Sequence, residues 1–181
     1  MTLKIPRRIV TIDDASGKSS AVADGPVWGA MLDPARPGFI STSIWVTDAT
    51  PAQVKVIDDA LTRAHRMLPP PRGSVCRIVT FPPEQTFRRK IEARDVMAFF
   101  YAIGAPAAST WSSNAPHPYM QKTRTLDFCL ILGGEITLVL DLEEVQLKAG
   151  DTVVQRGTNH AWSNRSSQPC TIAISSHDAM E

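Results

Sequence analysis

Beyond Leu126 the chain is cut at short, regular intervals by turn residues. Segment 128–132 stops at Gly133-Gly134, 136–140 at Asp141 to Glu144, and 145–148 at Ala149-Gly150-Asp151. Segment 152–155 stops at Arg156-Gly157, 160–162 at Asn164-Arg165, and 171–175 closes the series. Pieces this short cannot be stable helices, and their even spacing predicts antiparallel strands rolled into a barrel or jelly roll. The 14 prolines carry the same message upstream. They fall between elements, at Pro34, Pro37, Pro69 to Pro71, Pro82-Pro83, Pro106, Pro116 and Pro118. Proline breaks a helix interior, so a helical bundle is excluded.

The first half adds strands at 8–12, 41–47 and 74–81, all rich in β-branched residues. Thr50-Pro51-Ala52 offers a cap and a proline at a first helical position, which predicts a short helix over 52–61. A second helix is predicted over 91–103, with Gly104 placed to end it and Phe99, Phe100 and Ile103 set to face a sheet. The expected fold is all-β, with N-terminal strands and one or two short helices. Residues 1–105 would pack on or extend a barrel core formed by 106–181, as one compact domain of 181 residues.

Charge and composition exclude several functions. Lys+Arg is 19 and Asp+Glu 18, leaving +1, with no polybasic surface for nucleic acid. The longest apolar stretch, 96–108, is too short for a bilayer and is broken by Gly104 and Pro106, so no membrane partner is expected. Arg7-Arg8 has no apolar run behind it, which argues against a secretory signal. Cys76, Cys129 and Cys170 are odd in number and lack a CxxC, as expected of reduced thiols in a cytoplasmic protein. Nucleotide-binding, serine-hydrolase and zincin motifs are missing. Histidine is scarce: His65, His117, His160 and His177 are all there is.

The stretch Gln155-Arg156-Gly157-Thr158-Asn159-His160-Ala161-Trp162-Ser163-Asn164, opened by Gly150-Asp151, resembles the second motif of the cupin family. Gly157, His160 and Asn164 hold the motif's inner glycine, histidine and asparagine. Gln155 stands where the family has proline, and one residue is missing before Gly157. Counting back from Gly134 places Asp127 at the glutamate of the first motif, and Gln121 and Thr123 at its His-x-His pair. Ala115 replaces the leading glycine. Arg7-Arg8-Ile9-Val10-Thr11 and Phe81-Pro82-Pro83-Glu84 are similar to an uncharacterised subgroup of that family. The resemblance implies a double-stranded β-helix, a jelly-roll barrel that often holds a divalent metal.

It also implies a site. Period-two alternation on strands puts Gln121 with Thr123, Asp127 with Cys129, and His160 with Trp162. His160, Asp127 and Gln121 become the expected metal ligands for Zn, Fe, Mn or Ni, if any metal is held. His160 and Asp127 are the expected catalytic pair. Thr123, Cys129 and Trp162 would line the pocket, with His117 in reserve. Bland roles stand beside these. His160 would be a buried neutral ring hydrogen-bonded to Asp127, Cys129 plain packing and Trp162 a plug. His65 and His177 would be solvated or locally packed, and Arg88-Arg89-Lys90 a solvated loop.

Three functions are consistent with this. The first is a metal-dependent enzyme of dioxygenase, decarboxylase or isomerase type acting on a small organic, aromatic or oxo-acid substrate. The second is a non-catalytic, metal-free barrel that binds or senses a small molecule. The third is metal-free acid–base catalysis by His160 and Asp127. A homodimer built through the strands at 8–12 and 41–47 is the expected assembly.

Overall fold

The computed structural model describes residues 5–55 and 64–180. The elements run β1 (Arg7–Asp13), β2 (Ser19–Pro26), β3 (Met31–Leu32), β4 (Ile40–Thr47) and β5 (Ser74–Phe81), then α1 (Ala93–Ala102). The chain continues with β6 (Thr125–Gly133), β7 (Glu135–Leu140), β8 (Glu144–Lys148), β9 (Thr152–Arg156), β10 (His160–Ser163) and β11 (Cys170–Asp178). One sheet has the order β3-β4-β5-β11-β6-β9 and a second β10-β7-β8, while β1 and β2 form a separate hairpin. All pairings are antiparallel. The result is a jelly-roll barrel. β11 pairs with both β5 and β6, so strands from both halves of the chain share the larger sheet.

Alternation on the larger sheet follows directly from its sequence. Val75, Arg77, Val79 and Phe81 of β5 point inward, as do Thr125, Asp127, Cys129 and Ile131 of β6. Val79, Phe81, Cys129 and Ile131 among them meet Ile136, Leu138, Leu147 and Trp162 of the smaller sheet in one core. Arg77, Thr125, Asp127 and Ser176 are the polar interruptions of this inward face. They face a common interior, so the sheet that builds the core also builds the site.

Helix α1 closes part of the barrel with Val96, Phe99 and Phe100. Burying each such side chain contributes roughly 1.5–3 kcal/mol. Glu92 and Asp95 form a reciprocal capping box at its start. At its end Gly104 takes φ +71. Ala105 N–H then reaches Phe100 O at 2.8 Å and Gly104 N–H reaches Tyr101 O at 3.0 Å, the Schellman pattern.

The strands foreseen at 8–12, 41–47 and 74–81 all form, each within a residue or two of its expected limits. β2 and β3 were not foreseen: β2 pairs with β1, and β3 is a two-residue edge. The helix expected over 52–61 is not seen at 52–55, and its remainder lies outside the described residues. Among the described residues no helix is long and apolar enough to cross a membrane.

Candidate functional site

The site begins with a cross-strand pair. Gln121 N–H donates to His160 O at 2.8 Å, and His160 N–H donates to Gln121 O at 2.9 Å. Residues paired this way in antiparallel strands project their side chains to the same face. Gln121 Nε2 accordingly lies 3.1 Å from His160 Nε2. His160 Nδ1 lies 2.9 Å from Thr158 O. A carbonyl only accepts, so Nδ1 carries the proton and Nε2 keeps its lone pair. Burial pulls the His160 pKa below its usual range and outweighs the Thr158 carbonyl and the Asp127 charge, which act upward. The ring is therefore neutral, and the Gln121 amide N–H donates to it.

One small cavity, of about 10 Å³, is lined by Gln121, Thr123, Asp127, Cys129, His160 and Trp162, all six residues placed together by alternation and family position. Trp162 meets His160 edge-on at 6.1 Å between ring centroids. Thr123 Oγ1 hydrogen-bonds Thr125 Oγ1 at 2.7 Å. Burial first, then the Asp127 charge, pushes the Cys129 thiol up to about 12 despite the opposing pull of Arg77. Cys129 is thus a neutral thiol and packs as a small hydrophobe.

Asp127 is 8% exposed, and its Oδ1 has no hydrogen-bond partner. The hydrogen bond expected between it and His160 is not formed, because both ring nitrogens are taken by Thr158 and Gln121. Arg77, 5% exposed, lines the same cavity. Its Nη2 makes a long 3.4 Å contact to Ser176 Oγ, and its Nε has no partner. Arg77 was not foreseen as a site residue. The available signal was a lone arginine on the inward face of β5, between Val75 and Val79.

His117 is not part of this group. Its Nδ1 accepts from Tyr119 N–H at 3.1 Å, so Nε2 holds the proton and donates to Glu84 Oε2 at 3.2 Å. Both nitrogens are committed, in a separate cavity with Glu84, Phe87 and Asn164. A reserve ligand would have to abandon both bonds, which corrects the pocket role expected of it. Burial would raise the Glu84 pKa. Hydrogen bonds from His117 and Ser163, with the charges of His117 and Arg88, outweigh it and hold the carboxyl at about 2. Arg88 is tied to Glu84 at 2.7 Å, so the basic run is not wholly solvated. His65 bonds Ser43 Oγ at 3.1 Å, and His177 bonds Ser175 Oγ at 3.1 Å. Both are locally packed.

These residues do not fit a three-ligand divalent centre. Among the described residues no three His, Cys, Asp or Glu side chains converge. Gln121 offers a weak amide, Cys129 is a neutral thiol, and the Arg77 cation competes for Asp127.

The cupin-domain profile matches residues 113–176, which contain Gln121, Asp127 and His160. Protein C' of the phomopsin biosynthesis cluster of Diaporthe leptostromiformis is 30% identical over 176 residues, covering 91% of this chain and 73% of that protein. Protein J of the oryzines biosynthesis cluster of Aspergillus oryzae is 46% identical over 50 residues, 27% of this chain and 28% of its own. Among solved structures, the Cnp3 cupin domain of Schizosaccharomyces pombe aligns with a TM-score of 0.46 at 9% identity, covering 95% of this chain and 87% of that one. By its sequence profile and its barrel, this chain belongs to the cupin family.

Proposed function

We propose that this cupin binds a small organic molecule inside its barrel, against His160, Gln121 and Asp127, and needs no resident divalent metal to do so. The observation that carries this reading is the set of unmatched polar atoms around one cavity. Asp127 Oδ1 and Arg77 Nε are buried without partners beside a neutral imidazole. Leaving such groups unmatched costs about 1–3 kcal/mol each, and a ligand that pairs with them recovers it. A ligand that displaces the Gln121 amide meets a free Nε2 lone pair, which can accept a proton from it. Two relatives are named for fungal biosynthesis clusters, which supports a small metabolite as the occupant. The three free thiols support a reducing, cytoplasmic setting.

The test is metal content together with turnover or binding of candidate metabolites. Protein purified without chelator or nickel resin should carry well under one divalent ion per chain. Stoichiometric metal that vanishes in His160→Ala would instead establish the metal-dependent reading.

The assembly we propose is a homodimer. Among the described residues the β1–β2 hairpin pairs with no other strand, and Ile9 and Val22 on it are exposed. A two-stranded hairpin is marginal alone, so a second copy of this chain is the partner it fits.

A further inference from the structure

Adjoining the cavity beside His160, a second one, of about 40 Å³, shares Arg77, Gln121, Trp162 and Met67 with the first. Its polar lining is dominated by donors. Arg36 is 5% exposed, with its guanidinium 3.7 Å from the Tyr119 ring centroid, 4.0 Å from Phe39 and 4.2 Å from Phe99. Its Nε is fixed to Asp33 Oδ2 at 2.6 Å, and that oxygen also accepts from Tyr119 OH at 3.1 Å. Arg36 Nη2 is buried with no partner. Arg77 Nε and Ser41 Oγ, the latter on a wholly buried residue, are also without partners. Three residues with unmatched donors, two of them cations, therefore line one cavity.

We propose that this space is a carboxylate site, in which Arg36, Arg77 and Ser41 grip the carboxylate of a short-chain organic acid. The inference rests on the reading that the barrel interior takes a small organic molecule, and it names that molecule's class. Guanidinium forks match a planar carboxylate geometrically, and charge-assisted bonds of this kind are the strong ones. Asp33 and Asp127 offset the two guanidinium charges, so the grip rests on the unmatched N–H donors at Arg36 Nη2 and Arg77 Nε and on the Ser41 hydroxyl. Asp33 is bonded to Arg36 Nε and Tyr119 OH, and Asp127 lies in the adjoining cavity. The rings around Arg36 hold it in place, so little ordering entropy is lost on binding. Size selects within the class. Pockets for drug-sized ligands run to about 300–1,000 Å³, far beyond this cavity, so only the smallest organic acids are candidates, and pyruvate is the probe of that size.

The test is calorimetric titration of the chain with pyruvate, with benzoate, chloride and the neutral pyruvamide as comparisons. Near-UV circular dichroism checks the fold of each variant. Pyruvate should bind, benzoate and chloride should not, and Ser41→Ala should weaken pyruvate about tenfold. Arg77→Gln should weaken it about a hundredfold or more. Ser41→Ala removes a single unpartnered hydroxyl, so it remains informative should Arg77→Gln fail to fold. Equal pyruvate affinity in the wild type and in both folded variants overturns the carboxylate site. So does chloride binding as tightly as pyruvate. Binding of pyruvamide but not pyruvate overturns the carboxylate while leaving the wider ligand-binding reading intact. Failure of every small organic probe to bind overturns both.

Discussion

The Gln121 amide nitrogen stands 3.1 Å from His160 Nε2 and occupies the imidazole lone pair that faces the barrel cavity. In the cupin motif Gln121 and Thr123 hold the positions of the histidine pair. The two main chains at 121 and 160 are already paired, so an imidazole at 121 would start from a backbone that points it at His160. The double substitution Gln121→His with Thr123→His should therefore create a divalent site with His160 and Asp127. Zinc or nickel affinity should rise by about a hundredfold or more, as expected on going from a weak donor set to three or more good ligands. Equilibrium dialysis measures it, and an unchanged affinity in a folded variant would show that the cavity geometry, not the donor list, excludes metal.

Acid should unfold this protein in two stages. His65, His117 and His160 are all held below the ordinary histidine range, chiefly by burial, His65 at about 4. A depressed histidine pKa means the folded state binds fewer protons than the unfolded one. The stability is complete above about pH 6.5 and is lost as pH falls toward the folded values. For His65 alone the loss is on the order of 3 kcal/mol at about 1.4 kcal/mol per unit. Glu84, held at about 2, adds a second loss as pH falls from the ordinary carboxyl range toward that value. Urea unfolding between about pH 7 and about pH 2 checks this, and a flat stability profile would refute it.

The strand framework and the six-residue cavity were both legible in the sequence, and for one reason. Alternation with period two, set in register by the turn glycines, fixes which side chains share a face. Arg77 was equally legible, as a charge between Val75 and Val79 on the apolar face of β5. Arg36 was not legible. It follows a short turn after Asp33, and its burial depends on Phe99 and Tyr119 arriving from distant parts of the chain to join the neighbouring Phe39. His117 misled because nearness in sequence to the first motif says nothing about ring orientation, which Glu84 and the Tyr119 N–H decide.

Asn164, the last residue of the second motif, is structural here. It is 2% exposed, and its Nδ2 donates to Phe81 O and Gln168 O, both at 2.8 Å. Its Oδ1 accepts from Ser166 N–H at 3.0 Å and Ser166 Oγ at 2.8 Å. Asn164→Ala strands the buried Phe81 carbonyl and frees the 164–168 turn. A loss of about 2–4 kcal/mol is expected from several buried bonds made at once. Denaturant unfolding reads it, and a change within about 0.5 kcal/mol would rule out the anchoring role.

Cys129 should be chemically silent despite lying beside Asp127 and His160. Its thiol is pushed up to about 12, so almost none is thiolate near neutral pH. Cys76 is less buried and should react first with iodoacetamide under native conditions. Peptide mapping of the alkylated protein distinguishes them. Faster labelling at Cys129 than at Cys76 would mean that the cavity lowers the thiol pKa, and a nucleophilic role would then have to be considered.

The outer face of the larger sheet supplies the last expectation. Phe128, Leu130 and Leu132 of β6 are 49%, 40% and 47% exposed, and Val154 of β9 is 59% exposed. Beside them a groove of about 810 Å³ is walled by Pro6, Ile40, Ile78 and Leu132. An apolar strand face of this kind is a poor surface to leave in water; Pro6, at the start of the β1–β2 hairpin, walls the same groove, so the hairpin and this face would together supply the roughly 1,000 Å² or more that the proposed dimer needs. Phe128→Lys with Leu130→Lys points charge outward on β6 and leaves Asp127, Cys129 and Ile131 on its inner face untouched. Light scattering should show a dimer for the wild type and a folded monomer for the double variant. A wild-type monomer at tens of micromolar would remove the self-association and leave the face for a different partner.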